Sequence, residues 1–177
     1  MKPGRRFVLG AGAGVGLAAG VGVAWWRYAL DPAASPTPPE FWQRRFERPE
    51  GGELAMADFR RRPLLINFWA TWCPPCVREL PEIDRLAHEH AGRGLGAVAL
   101  AVDGKIPVRE FLQRMTLSIP VGLCGLEGSE LMRQFGNLQA GLPYTVLLAA
   151  DGRVLQRKLG ETNHAELSMW LKGLSAT

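Results

Sequence analysis

A buried-looking strand that runs straight into two cysteines three residues apart limits this chain more than any other feature. Leu64-Leu65-Ile66-Asn67-Phe68-Trp69 is a short apolar run that begins after Pro63 and ends at Trp72-Cys73-Pro74-Pro75-Cys76. Such a run predicts a strand inside a sheet. The next segment, Pro74 to His90, predicts a helix, with Val77, Leu80, Ile83, Asp84, Leu86 and Ala87 on a mostly apolar face. Pro81 lies inside it and is expected to kink it. Cys73 then falls at the N-cap and Cys76 one turn in. The first turn of a helix carries unpaired N–H groups and a partial positive charge, and both favour a thiolate over a thiol. Cys73 is therefore the expected nucleophile, with a lowered pKa, and Cys76 the partner that attacks a mixed disulfide. Pro74 and Pro75 suit a first helical turn, where a missing N–H breaks no helix bond. Pro75 also has no N–H to offer the thiolate, and no histidine separates the cysteines. Both facts predict a moderate thiolate shift and a reducing rather than strongly oxidising couple.

The rest of the chain supplies a sheet for this motif. Leu95 to Val102 is a continuous apolar run and predicts a second buried, parallel strand. Pro107 to Met115 predicts a helix, Val121 to Leu123 a short strand, and Ser129 to Phe135 a short helix capped by Ser129. Thr145 to Leu148 and Val154 to Leu159 flank Asp151-Gly152, a hairpin signal. His164 to Leu174 predicts a closing helix capped by Thr162 or Asn163. Strands alternating with helices and ending in a hairpin predict an α/β fold, a central mixed β-sheet flanked by helices.

The first thirty residues read as an address. Lys2, Arg5 and Arg6 precede an uncharged stretch from Phe7 to Trp26, twenty residues long. That length can just span a bilayer core, and Trp25, Trp26 and Tyr28 suit its boundary. Residues 1–30 are thus expected to be a signal or membrane anchor helix, with positive charge holding the N-terminus in the cytoplasm. Arg5-Arg6-Phe7-Val8-Leu9 fits a twin-arginine signal and also a general secretory one. A retained anchor is favoured over a cleaved signal. Gly12, Gly16 and Gly20 read as part of a Gly-rich leader rather than a helix-contact face. Residues 31–39 hold four prolines and predict an extended spacer, leaving 40–177 as the folded domain. The leader and spacer carry most of the net charge of +4, so nothing points to a nucleic-acid partner.

Phe68-Trp69-Ala70-Thr71-Trp72-Cys73-Pro74-Pro75-Cys76, followed by Glu79 and Pro81, resembles the thioredoxin superfamily. The resemblance is to its membrane-anchored bacterial branch, the TlpA/ResA/CcmG-like thiol–disulfide oxidoreductases. Gly141 to Thr145 resembles the family's cis-proline loop, Ala150 to Val154 its following hairpin, and Gly104 to Pro120 the extra segment of this branch. The similarity spans residues 40–174. It implies a thioredoxin-like fold, with Cys73 attacking and Cys76 resolving. It implies a cis-Pro143 beside the disulfide and a Leu142 backbone free to pair with a substrate strand. Glu79 resembles an acidic residue that tunes or relays protons, and Trp72 an aromatic that shields the disulfide. Trp72, Pro74, Pro75 and Leu142 are the implied substrate-facing residues. No cofactor is implied. The implied function is a reductase on the periplasmic side of the inner membrane, anchored by residues 7–26. It would take electrons from a membrane thiol carrier for cysteine-containing exported proteins, in cytochrome c or copper-centre maturation. The chain departs from plain thioredoxin at Asn67, which stands in place of a buried aspartate and makes Glu79 the expected proton acceptor. Tyr144 is an uncommon bulk after the cis-proline and is expected to narrow the substrate groove.

Other chemistry is less well served. A zinc site needs four ligands, and His88 and His90 at i and i+2 point apart on a helix. Copper(I) held by the reduced cysteine pair is the non-enzymatic alternative, a metallochaperone. A thiol peroxidase would carry a lone cysteine after threonine and proline. Cys124 is expected to be a small buried hydrophobe, and Arg60-Arg61-Arg62 a solvated turn. His88, His90 and His164 have no partners in a recognisable spacing. Phe41, Trp42 and Phe46 are expected to cover the sheet edge.

Overall fold

A computed structural model describes residues 36–173, so the predicted leader and most of the spacer lie outside the described residues. Among the described residues no helix is long and apolar enough to cross a membrane. Residues 36 and 37 already lie on the domain. Pro36 bridges Arg153, and the Thr37 N–H and hydroxyl donate to the Gly152 carbonyl at 3.1 and 2.5 Å.

Seven strands form one mixed sheet: β1 (Arg45–Glu47), β2 (Glu53–Ala55), β3 (Leu64–Trp69), β4 (Gly96–Ala101), β5 (Val121–Leu123), β6 (Tyr144–Leu148) and β7 (Val154–Leu159). Their order across the sheet is β2-β1-β5-β4-β3-β6-β7. β3 pairs with β4 and β4 with β5 in parallel, while β6 and β7 run antiparallel, as the hairpin signal predicted. Four α-helices complete the fold among the described residues: α1 (Pro74–His90), α2 (Lys105–Leu112), α3 (Glu127–Gln134) and α4 (His164–Lys172).

Side-chain alternation along β3 and β4 sorts the core into two layers. Leu65 and Trp69 join Ala97, Ala99 and Ala101 under Leu80, Ile83 and Leu86 of α1 and Leu167 and Leu171 of α4. The small alanines let α1 lie close to the sheet. On the opposite face Leu64, Ile66, Phe68, Val98 and Leu100 meet Leu131 and Met132 of α3, with Phe41 and Phe46.

The sequence reading differs from the structure at several points. Phe41 is fully buried, and Phe46 is the inward residue of β1, which extends the sheet through Glu47 and Leu123. These residues are core, not an edge cover. β1 and β2 have three residues each, too few for a periodic signal. α2 begins two residues before Pro107, which fits the first turn. α3 begins before Ser129, and its N-cap is Leu126 with no side-chain bond. Asn163 caps α4 by accepting from the Glu166 N–H at 3.0 Å, which leaves Thr162 for another task. Pro81 does lie inside α1, where the sequence places it.

Candidate active site

Cys73 is the N-cap of α1 and Cys76 lies in its first turn, as the strand–motif–helix spacing predicts. The two form a disulfide with Cα atoms 5.3 Å apart. Cys76 is fully buried and Cys73 is 5 % exposed, so the outer sulfur is the one that a partner can reach. Pro74 is exposed and Pro75 half-buried. Trp72, next to Cys73 in the chain, is 67 % exposed.

The turn ahead of the cysteines is clamped. Asp103 Oδ2 accepts from the Thr71 N–H at 3.0 Å and the Thr71 hydroxyl at 2.5 Å, and its Oδ1 accepts from the Gly104 N–H at 2.7 Å. The Cys73 N–H donates to the Ala70 carbonyl at 3.2 Å. Asp103 is a residue that the sequence does not mark as part of the site. Its only local signal is Asp-Gly at the end of an apolar run.

The Leu142–Pro143 peptide is cis. Because Tyr144 sits opposite Phe68 in the β3–β6 ladder, Pro143 lies at the same end of the sheet as the cysteine motif. The loop before it is braced from within. Asn137 Nδ2 donates to the Gly141 carbonyl at 2.8 Å, and the Ala140 N–H donates to the Asn137 carbonyl at 2.9 Å. No backbone hydrogen bond involves Leu142 among the described residues. Tyr144 does not narrow this edge. It is 3 % exposed in the layer opposite α1, with its hydroxyl donating to the Phe135 carbonyl at 2.7 Å.

Glu79 is 1 % exposed and therefore no solvated helix glutamate. Three residues after Cys76, it shares that cysteine's buried face of α1. Its Oε1 accepts from Asn67 Nδ2 at 2.6 Å. Its Oε2 accepts from the Thr162 N–H at 2.6 Å and the Thr162 hydroxyl at 2.8 Å. Asn67 and Thr145 are directly paired across β3 and β6, and Asn67 Nδ2 also donates to the Thr145 hydroxyl at 3.0 Å. Burial raises the Glu79 pKa above the usual carboxylate value, against the lowering effect of Thr162 and Asn67. Thr162 is a neighbour of Glu79 that the sequence did not reveal, because 83 residues separate the two.

The remaining candidates take structural places. Cys124 is buried, its thiol donates to the Ala101 carbonyl at 3.1 Å, and burial pushes its pKa up to about 12. Arg62 Nη2 donates to the Asp58 carbonyl and Arg60 lies over the Trp42 ring, consistent with a turn. His164 does have a partner: its Nε2 is 2.7 Å from Glu89 Oε2. Among the described residues no group of three metal-ligating side chains converges.

Residues 36–170 match the model of the Redoxin family. Thiol-disulfide oxidoreductase ResA of Bacillus thuringiensis subsp. konkukian (strain 97-27) is 32 % identical over 127 residues, covering 71 % of each chain. The crystal structure of a thiol:disulfide interchange protein of the thioredoxin family from Chlorobium tepidum TLS is also similar. It superposes with a TM-score of 0.66 at 25 % identity, over 80 % of this chain and 96 % of that one. StoA from Bacillus subtilis shares the fold, with a TM-score of 0.59 at 23 % identity over 72 % and 95 % of the two chains.

Proposed function

The chain belongs to the Redoxin family, in its TlpA/ResA/CcmG-like branch, and is a thiol–disulfide oxidoreductase; we propose that it acts as a reductase of cysteine pairs in other exported proteins through Cys73 and Cys76. The observation that carries this reading is the disulfide at the N-terminus of α1, one sulfur near the surface and one buried, at the same end of the sheet as the Pro143 loop.

The reaction starts from the reduced pair. The Cys73 thiolate attacks one sulfur of a target disulfide, and the target's other sulfur leaves as a thiolate and takes up a proton. Cys76 gives its proton to the Glu79 carboxylate and attacks the Cys73 sulfur, expelling the target's second thiolate. Two electrons have then passed to the target, and the Cys73–Cys76 disulfide remains. The Leu142 peptide pairs with the target's backbone, and Trp72, Pro74 and Pro75 form the rest of the contact surface. The N-terminal end of α1 favours the Cys73 thiolate, but Pro75 lacks an N–H to add to that effect, which supports the reducing direction. The basic start and uncharged stretch from Phe7 to Trp26 support a place on the periplasmic side of the inner membrane. There a membrane thiol carrier would re-reduce the pair. Cytochrome c or copper-centre maturation is the proposed setting.

The test is reduction of insulin by the purified protein. Cys73→Ser should abolish it, and activity retained in that variant would overturn the reading. A couple as oxidising as about −120 mV would overturn the reductase direction.

A further inference from the structure

The carboxyl of Glu79 is held by three donors, and only one of them can reverse its role without a side-chain flip. Asn67 Nδ2 and the Thr162 N–H can only donate. The Thr162 hydroxyl, 2.8 Å from Oε2, can donate to a carboxylate or accept from a carboxylic acid without moving. A proton on Oε1 would face the Asn67 N–H group instead, while Asn67 Oδ1 is buried with no hydrogen-bond partner among the described residues. From this geometry we propose that Thr162 is the positioning residue that places the Glu79 proton on Oε2 and sets how tightly it is held. The proposal rests on Glu79 being the proton acceptor of the reaction above, and adds the residue that governs it.

Each segment packed against Glu79 contributes to this balance. β3 and β6 present only the amide of Asn67 and the hydroxyl of Thr145. α1 brings Arg78, and the connection from β7 to α4 brings Glu161, whose negative charge favours the protonated form. These two charges are paired outside the pocket, with Arg78 Nε and Nη2 donating to Glu161 at 3.1 and 2.5 Å. Thr162 is therefore next to an outer ion pair while its own contacts are buried.

The test is a pH titration of the Glu79 side-chain carboxyl by carbon-13 NMR, on the disulfide-bonded protein without substrate. Thr162→Val keeps the backbone donor and removes the hydroxyl. A hydroxyl bond to the charged carboxylate is stronger than one from the neutral acid. Its loss should therefore move the midpoint to higher pH by about one unit, roughly a tenfold gain in proton affinity. Thr162→Ser should restore the wild-type midpoint. A midpoint unmoved in Thr162→Val overturns the proposal, as does one unmoved between Thr162→Ser and Thr162→Val. If the valine variant does not fold, the wild-type protein decides. The Thr162 amide proton should shift with the same midpoint as the Glu79 carboxyl, and an amide insensitive to that titration overturns the proposal. No turnover is read, so the result is separate from whether the protein reduces insulin.

Discussion

Replacing Glu79 by glutamine should change the pH dependence of stability, and the surroundings of the carboxyl fix the sign. Burial raises its proton affinity in the fold, the donors from Thr162 and Asn67 oppose this, and the Glu161 charge adds a smaller push upward. In the unfolded chain the same carboxyl titrates at the ordinary glutamate value. Between those two pH values the folded protein holds a proton that the unfolded chain has released. The stability gained from that proton is complete below the unfolded pKa and is lost as pH rises through the folded one. A single proton limits the slope to about 1.4 kcal/mol per pH unit inside the window, and the loss stops above it. Glutamine cannot ionise, so the variant escapes this loss. The assay is urea unfolding of the disulfide-bonded wild type and Glu79→Gln from about pH 4 to about pH 8. The stability of the variant minus that of the wild type should climb with pH and then level off. Glu89, Asp151 and Glu161 have pKa values lowered by His164, Arg153 and Arg78, which gives stability that is lost as pH falls. Those of Glu89 and Asp151 are common to both proteins and cancel in the difference, and Glu161 leaves only the smaller effect of its coupling to Glu79. A difference that stays flat, or that falls as pH rises, would refute the claim that burial outweighs the donors.

Two further outcomes follow from groups away from the disulfide. Asp84 Oδ1 accepts from the Ser118 N–H, the Ser118 hydroxyl and the Ile119 N–H at 2.7–2.9 Å, tying α1 to the approach to β5. Asp84→Ala should cost about 1–3 kcal/mol, read as a lower urea midpoint at unchanged slope, and an unshifted midpoint would show these bonds to be replaceable by water. Cys124 is buried and its thiol pKa is pushed to about 12, so Ellman's reagent should find no thiol in the native disulfide-bonded protein and one after denaturation. Rapid labelling of the native protein would contradict this.

How much was legible depended on whether a residue's partners lie nearby in sequence. β3 and β4 are buried on both faces, so they read as unbroken apolar runs, and Asp151-Gly152 announced the β6–β7 turn. The position of Cys73 at a helix tip followed from a strand ending beside a helical pattern. β1 and β2 did not announce themselves, since Phe46 and Leu54 are their only buried residues and the sheet they extend is built from residues far along the chain. The same reason hid Thr162 and Asp103. A threonine before a helix reads as a cap until the glutamate that it binds is seen, and Asn163 holds the cap instead. Asn67 signalled only a missing acid. Its pairing with Thr145 depends on the register of β6 against β3, which no local pattern specifies.

The place of the carboxylate has a consequence for the proposed reaction. On β3, at the position of Asn67, an acid would approach the buried cysteine only as well as the sheet packs against α1. Glu79 stands on α1 itself, one turn from Cys76, so the spacing between proton donor and acceptor is set by helix geometry. Burial raises its proton affinity, and Asn67 on β3 and Thr162 between β7 and α4 lower it. Position is thus set by α1 alone, while affinity also depends on other elements. A substitution at Thr162 should alter when Glu79 accepts a proton while leaving it beside Cys76. A substitution that disturbs α1 should alter both together, and only the second kind should also change the burial of Cys76.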